Sequence, residues 1–87
     1  MIVDVGDQSI EEIARKYRQS AGKILADNGI EKIRPGMRLV VEGEITWVVG
    51  PYDTVESIAA EWSVDPEDIA RSNKTPLAVG QIIKFRI

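Results

Sequence analysis

Carboxylates are the side chains of this chain whose type and grouping most suggest chemistry. Glu11 and Glu12 are adjacent, and Asp65, Glu67 and Asp68 lie within one short stretch. Paired acids can act as general acid and base, or hold calcium, but glycosidase carboxylates need a defined separation across a cleft. These acids instead follow helix-start signals, Ser9 before one group and Asp65-Pro66 within the other. In a first helical turn the backbone dipole stabilises negative charge without any catalytic role. The chain has no histidine and no cysteine. That removes the Ser–His pair, the cysteine nucleophile, the usual zinc site and a proton shuttle near neutral pH. No catalytic residue, cofactor or metal is expected, and the chain is not expected to be an enzyme.

The remaining composition points to binding or structure. Eleven Lys and Arg against 14 Asp and Glu leave a net charge of −3, which offers no electrostatic footprint for nucleic acid. With 44% hydrophobic and 29% charged residues the chain is globular. No run approaches the roughly 18 apolar residues of a membrane helix, so no membrane is expected. Met1-Ile2-Val3-Asp4 lacks a basic segment, and the first cation is Arg15, which argues against a signal peptide in this chain.

The sequence repeats itself. Ser9-Ile10-Glu11-Glu12-Ile13-Ala14 returns 45 positions later as Thr54-Val55-Glu56-Ser57-Ile58-Ala59. At the same offset Tyr17 meets Trp62, Ile24 meets Ile69 and Asn28 meets Asn73. Gly36-Met37-Arg38-Leu39-Val40-Val41 then returns at an offset of 44 as Gly80-Gln81-Ile82-Ile83-Lys84-Phe85, so the second copy has lost one residue between its Asn and its Gly. Two units of about 43 residues follow, 1–43 and 44–87, divided at Glu42-Gly43-Glu44. The first carries seven cations and seven anions, and the second, with four cations and seven anions, holds the whole net charge.

Each unit predicts strand, helix, helix, strand. Ser9 with Glu12 makes a capping box, and Ile10, Ile13, Ala14 and Tyr17 follow at helical spacing. Ser20 caps a second helix, which Asn28-Gly29 ends, and Leu39 and Val41 alternate in a closing strand. In the second unit Thr54 caps a helix with Val55, Ile58, Ala59 and Trp62 inward. Asp65-Pro66-Glu67-Asp68 starts the next helix, Asn73 ends it, Trp47 and Val49 open the unit, and Ile83 and Phe85 close it. Tyr17 and Trp62 are expected in the cores and Trp47 half-buried. The fold class is α+β: two βααβ units, each a two-stranded antiparallel sheet with both helices on one face. A hairpin across Glu42-Gly43-Glu44, joining the two units' strands, is the alternative pairing.

The ordered set resembles the LysM (lysin motif) domain. The second unit matches through Trp47-Val48-Val49, Asp53-Thr54-Val55, Ile58-Ala59, Trp62, Ile69, Asn73 and Gly80-Gln81-Ile82-Ile83-Lys84-Phe85. The first matches through Val3, Gly6-Asp7, Ser9-Ile10, Ile13-Ala14, Tyr17, Ile24, Asn28 and Gly36-Met37-Arg38-Leu39-Val40-Val41. The resemblance implies binding to N-acetylglucosamine polymers, chiefly peptidoglycan or chitin, in a shallow groove between two loops. Carried over by motif, the glycan-binding residues are Gly6, Asp7, Gln8, Ser9 and Ile10 facing Asn28, Gly29 and Ile30 in the first unit. In the second they are Tyr52, Asp53, Thr54 and Val55 facing Asn73, Lys74, Thr75 and Pro76. Backbone amides and carbonyls can bond an acetamido group while small apolar side chains take its methyl, and neither needs a titrating residue.

The copies depart from the family pattern in these loops. The second has Pro51-Tyr52 ahead of Asp53 where glycine is usual, which places Tyr52 where it would block the groove or stack on a sugar. The first has Gln8 between Asp7 and Ser9. Two functions are therefore expected in competition. One is a non-catalytic glycan-binding anchor of cell wall or spore envelope, with any catalytic domain outside this chain. The other is a structural or protein-interaction module of a spore-envelope or phage-tail assembly.

Overall fold

The computed structural model describes residues 1–87, which form two compact units, Met1–Gly43 and Glu44–Ile87. In the first, β1 (Ile2–Asp4) is followed by α1 (Ile10–Tyr17), α2 (Ala21–Asp27) and β2 (Arg38–Val40). In the second, β3 (Glu44–Val48) is followed by α3 (Val55–Trp62), α4 (Pro66–Ser72) and β4 (Ile82–Arg86). Strands β1 and β2 pair antiparallel with Val3 opposite Leu39, and β3 and β4 with Ile45 opposite Phe85 and Trp47 opposite Ile83. Strands β2 and β3 belong to separate sheets, so the hairpin alternative across Gly43 does not form.

The strand period of two decides what each sheet buries. Val3, Val5, Leu39 and Val41 turn inward with Ile13, Ala14 and Ile24 to form the first core. Ile45, Val49, Ile83 and Phe85 do the same with Ile58, Ala59, Trp62 and Ile69 in the second. No polar or charged residue is buried in either. Trp62 sits between Trp47 and Phe85, edge-on to both, at 5.9 and 6.0 Å between ring centres. Such pairs add about 0.5–1.5 kcal/mol beyond the area they bury. The first unit has Val3, Tyr17 and Val41 at the matching places, and Tyr17 is half-buried rather than buried. With valines instead of a second tryptophan and a phenylalanine beside it, no aromatic stack encloses the ring, and Lys16 lies 5.4 Å from its centre.

All four helix starts are capped by the residues the sequence indicates. Ser9, Ser20, Thr54 and Asp65 each accept a backbone N–H from the first turn. The reciprocal half of the expected capping box differs. Glu12 accepts from the Ser9 hydroxyl at 3.4 Å instead of from the cap's N–H. The complete box is in α3, where Ser57 Oγ accepts the Thr54 N–H and Thr54 Oγ1 accepts the Ser57 N–H. The shorter serine hydroxyl reaches the cap backbone in a geometry that Glu12 does not adopt.

Candidate functional site

The two loops that the resemblance designates stand beside each other in the second unit. Asp53, Thr54, Val55 and Glu56 form one wall and Pro76 and Leu77 the other, around a groove of about 310 Å³. Next to it a hollow of about 400 Å³ is lined by Val55, Glu56, Pro66, Glu67, Ala70 and Thr75. Val55 and Glu56 border both, so the two spaces adjoin along the start of α3. The surface offered is largely apolar, from Val55, Pro66, Ala70, Pro76 and Leu77, with carboxylates and threonine hydroxyls at its margins.

The first wall is fixed by a turn. Asp53 N donates to the Gly50 carbonyl at 3.2 Å, closing Gly50–Asp53 with Pro51 and Tyr52 at its corners. Asp53 Oδ2 accepts from the Gly50 N–H at 2.7 Å and from Trp47 Nε1 at 3.1 Å. The Gly50 amide and then the Trp47 indole hold the Asp53 carboxyl below the usual aspartate value of 3.8, against a smaller opposing effect of burial. A β-carbon on Gly50 would stand 3.3 Å from that carboxylate oxygen, so glycine allows the side chain to fold back closely. Gly50, three residues before Asp53, thus provides the close approach, while Tyr52 holds the place next to Asp53 where the motif usually has glycine. Tyr52 is carried outward at the turn's corner, 93% exposed, and does not line the groove. It neither blocks the groove nor packs on the surface.

The opposite wall is braced from behind. Gln81 Oε1 accepts from the Ala78 N–H, and Gln81 Nε2 donates to the Lys74 carbonyl, both at 2.9 Å. The Thr75–Pro76 peptide is cis. Asn73 points to the sheet instead of the groove. Its Nδ2 donates to the Ile69 and Lys84 carbonyls, and its Oδ1 accepts the Lys84 N–H, at 2.9, 2.9 and 3.1 Å. Both amide hydrogens are spent, so Asn73 clamps α4 to the outer edge of β4 and shapes the groove indirectly.

The first unit repeats this framework with different residues. Asn28 makes the same clamp to Ile24 and Val40. Gly29, at φ 64°, then turns the chain into Ile30, which is half-buried. Gln8 occupies the position of Asp53 just before the cap, and its Oε1 accepts the Gly6 N–H at 2.7 Å. Motif matching paired Asp7 with Asp53, but Asp7 is exposed and the brace belongs to Gln8. Where Gln81 braces the second loop, Met37 stands in the first and its sulfur accepts from the Arg34 N–H. Ser9 serves as helix cap and Ile10 opens α1, half-buried.

Of the residues expected in the second site, Asp53, Thr54, Val55, Thr75 and Pro76 line the groove or its adjoining hollow, while Tyr52, Asn73 and Lys74 do not. Glu56, Leu77, Pro66, Glu67 and Ala70 line them too and were not expected. Nothing in their local sequence marks them, since α3 and α4 adjoin only after folding. Gly80-Gln81 did carry a signal for the brace.

Comparison with known families decides the membership. The LysM domain model matches residues 2–42 and 48–86, nearly the whole chain. The chain belongs to the LysM family. Among solved structures, this LysM pair is similar to the spore cortex-lytic enzyme SleL of Bacillus cereus, with 30% identity over 95% of this chain and a TM-score of 0.44. It is also similar to SleL of Bacillus megaterium QM B1551, with 25% identity over 94% of this chain and a TM-score of 0.46. In both cases it spans 21% of the other chain's length. No curated protein matches it.

Proposed function

We propose that this LysM pair is a non-catalytic module that binds glycans built from N-acetylglucosamine, of the peptidoglycan or chitin kind. It would serve as an anchor at a cell wall or spore envelope, with any catalytic domain elsewhere in the protein. LysM domains bind such glycans, and the carrying observation is the second unit's groove between Asp53–Glu56 and Pro76–Leu77. Its apolar surface suits an acetamide methyl, and the polar groups of two facing loops suit the amide and hydroxyls. The fixed turn at Gly50–Asp53 and the Gln81 brace support the reading, because a preorganised site avoids the ordering cost of binding. The site residues proposed for the second unit are Asp53, Thr54, Val55, Glu56, Thr75, Pro76 and Leu77. In the first unit they are the backbone of Gly6 to Ile10 and of Asn28 to Ile30.

A second reading, a protein-interaction module of an envelope or tail assembly, is favoured by one contrast. Asp4 and Arg38 form an ion pair at 3.2 Å on the outer face of the first sheet. The paired positions in the second are Val48 and Ile82, 62% and 64% exposed. Sedimentation with purified peptidoglycan and with chitin separates the two readings. Retention on either polymer, competed by N-acetylglucosamine oligomers, is expected. A folded protein that stays in solution with both polymers refutes glycan binding and leaves the interaction module.

A further inference from the structure

The first copy seats one of its own ammonium groups between a helix and a strand end. Lys23, on α2, donates from Nζ to Asp27 Oδ2 at 2.6 Å and to the Glu42 carbonyl at 2.9 Å. Glu42 lies just past β2, two residues beyond the Val40 that Asn28 clamps. The seat is therefore built from a helix carboxylate and a backbone carbonyl at the outer edge of the sheet.

The second copy keeps this frame and changes all three residues. Asp68 stands at the place of Lys23, Ser72 at that of Asp27 and Arg86 at that of Glu42. Asn73 bonds both the N–H and the C=O of Lys84, so those groups point away from β3. In an antiparallel pair that orientation returns at every second residue, so the Arg86 carbonyl points the same way. Here α4 and β4 border an open groove of about 530 Å³, lined by Glu44, Asp68, Ser72, Lys84, Phe85 and Arg86. It shares no lining residue with the sugar groove or the hollow next to it.

The exchanged residues bring acceptors and cations together. The Asp68 carboxylate, the Ser72 hydroxyl and the Arg86 carbonyl can accept the hydrogens of an ammonium. Asp68 meets Arg71 at 3.2 Å, but both are exposed, and such a pair contributes little and yields readily to another cation. Lys84 replaces Val40 of the first copy, and Arg86 replaces Glu42. These two cations repel a bare ammonium and attract a carboxylate. With Glu44 and Asp68, the lining holds two charges of each sign.

We propose that the groove between α4 and β4 binds a small zwitterion, an ammonium together with a carboxylate, as carried by an amino acid or by the two ends of a short peptide. The ammonium takes the seat that Lys23 Nζ fills in the first copy, and the carboxylate lies toward Lys84 and Arg86. The site is separate from the sugar groove and does not depend on it. Its contacts are exposed, so binding is weak and salt-dependent.

Backbone amide shifts of the full chain, followed by NMR, test this with probes that contain no sugar. Alanine and the dipeptide Ala-Ala carry both charges at two spacings. Alaninamide keeps only the ammonium, and N-acetylalanine only the carboxylate. At least one zwitterion is expected to move the Ser72 and Arg86 amides at a concentration roughly 3-fold or more below that needed by either single-charge analogue. Whichever zwitterion acts at the lower concentration identifies amino acid or peptide as the source. The double substitution Asp68→Lys and Ser72→Asp gives the second copy the seat residues of the first and should abolish the response. Both tryptophans lie in the second unit, so unchanged indole N–H signals show that this variant still folds. No response to either zwitterion, an equal response to the single-charge analogues, or a response that survives the double substitution in a folded chain overturns the proposal.

Discussion

Single side chains set the shape of the second groove through hydrogen bonds that point away from it. Asp53 is the clearest case. The motif offered it as a sugar contact, and its Oδ2 is engaged by the Gly50 amide and the Trp47 indole. Because those donors favour the ionised form, its folded pKa lies below the unfolded value. The stabilisation is fully present above the unfolded value of 3.8 and is lost as pH falls through the lower folded one. Urea midpoints measured from neutral to strongly acidic pH should therefore show native and Asp53→Asn chains furthest apart above that window and converging below it. Asn73 makes a second prediction at this scale. Asn73→Ala strips partners from the Ile69 and Lys84 backbone groups and should cost about 1–3 kcal/mol in chemical denaturation. The same substitution should raise amide hydrogen exchange at Lys84, whose N–H loses its acceptor. Both aspartate and asparagine were legible as motif residues. Their targets were not, because Trp47, Lys84 and Gly50 come beside them only through the strand pairing and the turn.

At the scale of elements, local signals were nearly sufficient. Ser20, Thr54 and Asp65-Pro66 start helices where capping chemistry says they should, and the alternation of Ile83 and Phe85 selects the inner face of β4. Glu12 failed as the reciprocal half of a capping box because the spacing fixes which residue is available, not which rotamer it takes. One feature had no signal in either copy. The first helix of each unit ends on a residue in the left-handed region, Arg18 at φ 56° and Ser63 at φ 55°. That conformation costs an L-residue roughly 1–2 kcal/mol relative to glycine, part of which glycine's greater unfolded-state freedom offsets. Ser63→Gly should accordingly stabilise the second unit by about 0.5–1 kcal/mol, seen as a higher urea midpoint in tryptophan fluorescence. Thr54→Ala should move the midpoint the other way by about 1 kcal/mol, since a first-turn N–H loses its cap.

Over the whole molecule, the two sites proposed on one chain should matter more on a polymer than on a short oligomer. Linked sites gain by effective concentration only where both can be occupied by one ligand. Leu77→Asp places a charge in the second groove and should reduce retention on polymeric glycan by a larger factor than it reduces affinity of the chain for a short oligomer. Parallel sedimentation and calorimetry measure the two. Equal losses would mean that the units bind without reinforcing each other. The sequence by itself determined the repeat, the βααβ order, the helix starts, most apolar residues of both cores and the absence of thiol or imidazole side chains. These follow from periodicity and composition, which are local properties of the chain. Only the tertiary structure decided that the Gly50 amide anchors Asp53, that Gln8 and not Asp7 braces the first loop, and that Tyr52 is turned to solvent. It also decided that Glu56 and Leu77 border the groove and Glu67 the hollow beside it. The physical reason is the loops: side-chain bonds within a turn leave no mark on the hydrophobic period, and the two walls come together only when the unit folds.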